Sequence, residues 1–218
     1  MAALFRPQAN LVAKFGLIGL GVAVLAGIGW WWTYPRTNYR RQENWYVQQP
    51  VPFSHEHHVS GLGIDCRFCH TSVTTSSNAG LPPTYTCMTC HSQIWTNADM
   101  LAPVRDSLAR GEPIHWHRVY DLPDYVFFNH SIHITKGVGC ASCHGEVNRM
   151  PLMFKAVSLE MTFCIDCHAN PGPRLRPRSE IFNMQWARTD ATPSPAALMA
   201  EYGVRAGGRL LDCSTCHR

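Results

Sequence analysis

Charged residues are scarce in this sequence, at 16% of 218 residues, and the formal net charge is only +4. No basic stripe interleaved with aromatic residues is visible, although such a stripe is the usual mark of a nucleic-acid-binding surface. A βαβ pattern is also missing, and with it the setting in which a thioredoxin-type redox motif occurs. The chain instead contains 16 glycines and 15 prolines, so its secondary structure is weakly signalled. These absences argue against a nucleic-acid partner and against an ordinary globular core.

Ten cysteines stand out against this background, because they form five Cys-x-x-Cys pairs with none left over. The pairs are Cys66/Cys69, Cys87/Cys90, Cys140/Cys143, Cys164/Cys167 and Cys213/Cys216, and the residues that follow them are His70, His91, His144, His168 and His217. Cys-x-x-Cys-His is the attachment motif of haem c: two thiols form thioethers with the vinyl groups, and the histidine binds the iron. The sequence therefore predicts five covalently bound haems c.

Three other uses of paired cysteines explain the pattern less well. A zinc ribbon uses such pairs two by two, so that five cannot all be matched, and zinc gives no reason for the histidine. Disulfides within a pair would close very short loops and remove little chain entropy. A thioredoxin-type motif is expected once, beside a βαβ unit.

One apolar run, Phe15 to Trp32, is long enough to cross a membrane. The alternative is a cleaved signal peptide, but its apolar core is usually only ~7–15 residues long, and aromatic residues stand here where a cleavage site would be. We predict a cytoplasmic N-terminus (1–14), a retained transmembrane anchor (15–34) and an exported pentahaem domain (35–218). Arginines after the run speak weakly against this orientation. It rests on haem c being attached to exported protein, which places the domain on the periplasmic side of the inner membrane.

A small-residue stripe marks one face of the predicted anchor. Gly19, Ala23 and Gly27 recur every four residues. Small residues at this spacing allow another transmembrane helix to approach closely, although glycine is common in membrane helices generally. The stripe favours packing against other membrane subunits.

The exported part contains an internal duplication of the pattern Phe-x-His-x-x-His. The two copies are Phe53 to His58 and Phe128 to His133, each followed by a glycine-containing turn and a haem motif. They define two units, at about 50–125 and 126–190, and the fifth motif lies in a C-terminal segment, 191–218. So few residues per haem cannot enclose a conventional core. The predicted fold is an irregular multihaem cytochrome c, with mainly short α-helices and loops wrapped around haems.

The second axial ligands come from this duplication. His55/His58 and His130/His133 are spaced three apart, so both imidazoles of a pair leave one side of a helical turn and can reach two irons. His57, His115 and His117 have no counterpart in a second copy and are predicted not to bind iron. One iron then still needs a ligand, and either Met150 or Met161 is expected to supply it.

Several segments together resemble the pentahaem cytochrome subunit of alternative complex III. They are residues 79–84 before the second motif, Trp116 to Asp124, Phe128 to His144 and Met161 to His168. The resemblance implies a quinol:electron-acceptor oxidoreductase, respiratory or photosynthetic, with polytopic quinol-binding membrane subunits, an iron–sulfur subunit and a monohaem cytochrome. It also implies that this chain is a non-catalytic relay towards a soluble periplasmic acceptor.

Two other classes remain open. A membrane-anchored quinol dehydrogenase of the NapC/NrfH-like kind has a similar anchor and oxidises quinol itself. A catalytic multihaem reductase of the pentahaem nitrite reductase kind replaces one motif histidine by lysine. All five motifs here end in histidine, which argues against that second class.

Overall fold

A computed structural model describes residue 6 and residues 8–217 of the chain. Residues 1–5 and 7 of the predicted N-terminal segment, and residue 218, lie outside the described residues. The chain divides into two compact units, Met1–Gln42 and Glu43–Arg218.

The first unit consists mainly of one long apolar helix, α1, which spans Ala9–Thr33. At about 1.5 Å per residue it is about 37 Å long, more than the ~30 Å hydrocarbon layer of a bilayer. None of its described residues is buried within the structure, so its leucine, valine and isoleucine side chains require an apolar surrounding. Among the described residues, this is the one helix long and apolar enough to cross a membrane.

The end of α1 has the composition of a membrane–water interface. Trp30 stacks on Tyr34 with ring centroids 5.1 Å apart, and the Arg36 guanidinium lies 4.1 Å from the centre of the Trp32 ring. Aromatic rings and snorkelling arginines concentrate at this depth. A 3-10 helix, Tyr34–Arg36, and a short helix α2, Asn38–Arg41, complete the unit.

The second unit is built from short helices and loops. Its α-helices are α3 (Cys66–Cys69), α4 (Thr84–His91), α5 (Ala102–Arg110), α6 (His130–Thr135), α7 (Ala141–His144), α8 (Met161–Ala169), α9 (Pro195–Glu201) and α10 (Cys213–Cys216). A π-helix spans Glu56–Gly61, and 3-10 helices span Asp99–Leu101, Val147–Arg149, Gly172–Arg174, Arg178–Glu180 and Gly208–Leu211. Residues 43–217 contain isolated β-bridges but no strand. The predicted fold class is confirmed.

Two small clusters provide the buried core of this unit. Val51, Leu101 and Val104 form one cluster, and Leu175, Leu198 and Tyr202 form the other. Many more large apolar side chains are exposed, which is unusual for a soluble domain of this size.

Arg176 ties the second cluster to the turn that precedes the third motif. Its side chain is buried, donates a hydrogen bond to the Asn183 carbonyl at 2.9 Å and lies 4.8 Å from the Trp186 ring. Gly139 packs directly against this guanidinium, so that a methyl group there would overlap the Arg176 Nε and Cζ atoms. The third motif is therefore held close to Arg176.

Replacing Gly139 with alanine should destabilise the haem-loaded protein by about 1–3 kcal/mol, because Arg176 must leave a packed position. The measurement is denaturant unfolding followed by tertiary circular dichroism. Gly61→Ala is the matched control, since an added methyl at Gly61 meets nothing closer than 3.8 Å. Equal unfolding midpoints for the two variants would contradict this packing.

Candidate haem sites

The five Cys-x-x-Cys-His motifs lie on the short helices α3, α4, α7, α8 and α10, or extend one residue beyond them. Helical backbone puts residues three apart on one side, so both thiols of a motif face the same direction. Asp65 shows how the local sequence starts such a turn: its carboxylate accepts a 2.8 Å hydrogen bond from the Arg67 backbone N–H, as an N-cap does. None of the ten cysteines is in a disulfide. Among the described residues, no three Cys, His, Asp or Glu side chains converge as a zinc site would require.

Four of the five motif histidines are oriented by a backbone carbonyl. The Nδ1 atoms of His70, His91, His168 and His217 lie 2.7, 3.3, 2.9 and 3.2 Å from the carbonyl oxygens of Gly80, Ile94, Leu210 and Tyr125. An imidazole whose Nδ1–H donates to a carbonyl has its Nε2 lone pair free for a metal. These side chains therefore have the tautomer and orientation of iron ligands.

The first repeat places two histidines at the start of the π-helix. His58 Nδ1 lies 2.8 Å from the Ser54 carbonyl, and the His57 backbone N–H donates to the Ser54 hydroxyl at 3.1 Å. The ring of Phe53 contacts both histidines: it is perpendicular to the His55 ring at 4.9 Å and stacked on the His58 ring at 4.3 Å. π-turns are rare and often occur at functional sites.

The second repeat reproduces this arrangement on α6, where Asn129 is the N-cap and accepts from the Ile132 N–H. His133 Nδ1 lies 2.7 Å from the Asn129 carbonyl, which matches the bond from His58 to Ser54. Phe128 is edge-on to His130 at 4.7 Å and stacked on His133 at 4.5 Å. Each duplicated phenylalanine thus contacts both imidazoles of its repeat in the same way. Both phenylalanines are part of the repeated pattern Phe-x-His-x-x-His, and this repetition was the sequence signal for their contact with the histidines.

Each of three repeat histidines faces one motif histidine at nearly the same spacing. The ring centroids are 6.2 Å apart for His58 and His91, 6.3 Å for His130 and His144, and 6.2 Å for His133 and His168. Metal–imidazole bonds of about 2.0 Å on both sides of one ion put the ring centres about 6 Å apart. Each pair therefore leaves room for one iron bound from two sides.

His55 lies beside the motif histidines of two sites, the first and the third. Burial, followed by the neighbouring His70, His58 and His144, lowers its pKa to about 4. Its Nδ1 atom is buried without a hydrogen-bond partner, an arrangement that costs free energy unless some other group binds there. The other three repeat histidines face the second, third and fourth motifs, so His70 is the one of these two neighbouring motif histidines that has no facing repeat histidine.

The third motif is the most shielded of the five. Burial, with His130 and His70 adding to it, lowers the pKa of His144 to about 4. Burial also raises the pKa values of the Cys140 and Cys143 thiols to about 11. The Tyr120 ring covers His144 at 4.5 Å, and its hydroxyl accepts a hydrogen bond from the Ala156 N–H at 2.8 Å. A neutral imidazole is the form that binds iron, so burial favours ligation here.

The surface around the motifs is suited to a flat apolar group. A large exposed side chain lies within two residues of a motif cysteine at four of the motifs: Phe68, Tyr85, Ile165 and Leu211. Covering such side chains with a macrocycle would remove their apolar surface from water, at about 25 cal/mol per Å². Paired imidazoles, adjacent thiols and exposed apolar surface together fit haem c.

The fifth motif and the two candidate methionines are not brought together by any contact in the described part of the chain. Met150 is buried, with its methyl group near Gly145 after the third motif. Met161 is 60% exposed and begins the helix of the fourth motif. The ring beside His217 is that of Tyr125, at 5.7 Å. A methionine ligand at the fifth site stays a prediction.

Histidines outside the pairs have other contacts. His57 stacks on Trp95 with ring centroids 6.1 Å apart. The backbone of His117 exchanges two hydrogen bonds with the Gln49 side chain, at 2.8 and 2.9 Å. That His57 and His117 do not bind iron stays a prediction.

Comparison with known proteins identifies a relative. The multihaem cytochrome c subunit of menaquinone reductase from Nitratidesulfovibrio vulgaris (strain Hildenborough) is 30% identical over 174 residues, which cover 70% of this chain and 79% of the relative. No protein-family model matches the sequence.

Proposed function

The chain belongs to the family of the menaquinone reductase multihaem cytochrome c subunit, a quinol-linked electron-transfer subunit with covalently bound haem c, and from this membership we propose its function. It is the haem-relay subunit of a membrane quinol:electron-acceptor oxidoreductase of the alternative complex III kind. Five haems c carry electrons from a quinol-oxidising membrane part to a soluble periplasmic acceptor. The three histidine pairs spaced 6.2–6.3 Å apart carry the proposal.

The ligand assignment follows the geometry of the two repeats. His55 and His58 serve the first and second motifs, opposite His70 and His91, respectively. In the second repeat, His130 serves the third motif opposite His144, and His133 the fourth opposite His168. A haem iron held between two imidazoles exchanges one electron without an open position for substrate. Burial lowers the pKa of four of these imidazoles, at His55, His58, His133 and His144, and so favours their neutral form. Backbone carbonyls fix the direction of His58, His70, His91, His133 and His168 through their Nδ1 atoms.

Membrane attachment belongs to the same proposal. α1 anchors the chain, and the haem unit, residues 43–218, lies on the periplasmic side because haem c is attached to exported protein. Polytopic subunits, an iron–sulfur subunit and a monohaem cytochrome are the partners that the resemblance implies.

The relative's name supports a second possibility for the direction of electron flow, since it describes an enzyme that reduces menaquinone. The same relay would then carry electrons from a periplasmic donor towards the membrane. Redox titration of the intact complex separates the two: haem potentials well above that of the menaquinone couple favour quinol oxidation, and potentials near or below it favour menaquinone reduction.

Purified protein should contain about five haems c per chain, since five complete motifs are present. The pyridine haemochrome assay gives the number, and haem staining after denaturing electrophoresis shows that the attachment is covalent. Replacing both thiols of the solvent-facing fifth motif, C213A/C216A, should lower the count by one. A count below four in the unaltered protein would refute a pentahaem relay.

Replacing Ala23 with leucine should weaken association with the membrane partners, because a bulky residue prevents close helix approach. Blue-native electrophoresis should show loss of co-migration with polytopic and iron–sulfur subunits at unchanged haem content. Leu20→Met, on the same helix but outside the small-residue stripe, is the control. Equal co-migration for both variants would show that this face is not an interface.

A further inference from the structure

We propose, on the basis of the relay function above, that the five haem sites form one line in the spatial order second, first, third, fourth, fifth. The second and fifth sites are the two ends, where electrons are exchanged with partners, and the third is the centre. This order differs from the order of the motifs along the chain.

The first and second sites are joined through the π-helix. His55 and His58 are three residues apart, and the single Phe53 ring contacts both of them. His58 faces His91 of the second motif, and His55 is left for the first.

The first and third sites are joined by several contacts between the repeats. Arg67, inside the first motif, lies 4.7 Å from the Phe182 ring, and the adjacent Ile181 carbonyl accepts from the Cys140 N–H at 3.2 Å. The loop after the first motif also supports the second repeat, since the Ser77 carbonyl lies 2.9 Å from His130 Nδ1.

The π-helix also contacts the segment that follows the third motif. The Glu56 N–H donates to the Met150 carbonyl at 3.1 Å, and the Ser60 hydroxyl donates to the Asn148 carbonyl at 2.6 Å. The ligand helix of the first two sites is therefore attached to the third site's surroundings.

The third and fourth sites are joined through α6 and Arg174. His130 and His133 of this one helix face the third and fourth motif histidines. Arg174 donates to the Ser142 carbonyl within the third motif at 3.3 Å and lies 5.3 Å from the Phe163 ring beside the fourth.

The fourth and fifth sites are joined by the segment between them. His168 Nδ1 lies 2.9 Å from the Leu210 carbonyl, and the His168 carbonyl accepts from the Gly207 N–H at 3.0 Å. Leu210 is three residues before Cys213, so the fourth motif histidine is hydrogen-bonded to the segment that leads into the fifth motif.

The exposure of the cysteines identifies the ends of the line independently. Cys90 of the second motif and Cys213 of the fifth are the two exposed cysteines, and the other eight are partly buried. The terminal sites of a line have the fewest neighbouring sites, and the exposure of Cys90 and Cys213 agrees with terminal positions for the second and fifth motifs.

Flash reduction of the haem-loaded protein tests the order. A ruthenium polypyridyl label is attached to a new cysteine introduced by Arg209→Cys. Residue 209 is exposed and precedes the fifth motif. The new cysteine provides the one thiol that is not bound to a haem. The excited label gives one electron to a nearby haem and is restored by a sacrificial aniline donor. His55→Met or His58→Met marks the first or the second site, because a ferric His/Met haem has a red absorption band that is lost on reduction. The marker signal is the difference from the labelled protein without the methionine substitution, since the predicted His/Met ligation of the fifth site gives the same band.

The marker band should bleach earlier in H55M than in H58M, since the electron from the fifth site passes the first site before the second. Earlier or simultaneous bleaching in H58M would overturn the order. The pyridine haemochrome assay of each variant distinguishes a wrong spatial order from failure of the relay proposal. A wrong order leaves the haem content complete, whereas failure of the relay proposal would appear as missing haem. If a variant does not bind its full set of haems, the iron positions in an experimental structure of the intact complex test the order instead. The order fails if the first iron is farther from the third than the second iron is.

Discussion

Menaquinol added to this chain alone, purified with its haems in detergent, should reduce them only slowly. Four of the five proposed irons are closed by two imidazoles, and a single transmembrane helix cannot enclose a quinol. One hollow beside the second motif, about 610 Å³ and lined by residues 95–100, is open to solvent and offers no shielded site. Stopped-flow absorption of the haem bands measures the rate.

Restoring the membrane and iron–sulfur partners should make the reduction fast, with the faster phase removed by a quinol-site inhibitor. A matched sample, in which the partners are added to the C213A/C216A variant, tests whether the fast phase of haem reduction depends on the fifth haem. Rapid, inhibitor-sensitive reduction of the isolated chain would favour the NapC/NrfH-like quinol dehydrogenase instead. In that outcome the hollow at Trp95 becomes the first place to mutate.

Replacing His133 with methionine should raise the potential of one haem by on the order of 0.1 V, within the about 0.8 V that axial ligands span. Thioether ligation favours ferrous iron relative to a second imidazole, so the shift is upward. Spectroelectrochemical titration should show one component moved, with the haem count unchanged. The same result is expected at His58, because its Nδ1 bond and Phe53 contact match those of His133 and Phe128.

His57→Met is the matched control for this series. It lies between two proposed ligands on the same π-helix, but its ring stacks on Trp95 and not on a motif histidine. The haem potentials of the His57→Met variant should equal those of the unaltered protein. Identical titrations for His57→Met, His58→Met and His133→Met would remove the repeat histidines from the ligand set.

The fold class was predictable because the sequence has too few residues per haem to build a conventional core. A chain with two small buried clusters and many exposed apolar side chains has too little internal core for ordinary domains. The long exposed helix was equally visible as an apolar run, although it begins at Ala9, before the predicted anchor, since a helix tolerates the single charge of Lys14 near its start.

The sequence by itself determined the kind of protein, because the chemistry of haem attachment is local: two thiols and a histidine within five residues define each site. It also indicated the four repeat histidines, since a spacing of three places both imidazoles on one side of a turn. Only the tertiary structure decided which motif histidine three of them, His58, His130 and His133, face. That pairing depends on how loops such as the one at Ser77 bring distant segments together, and no short-range pattern encodes the distance between rings. The surroundings of His217 were likewise invisible in the sequence, because Tyr125 approaches it from 92 residues away.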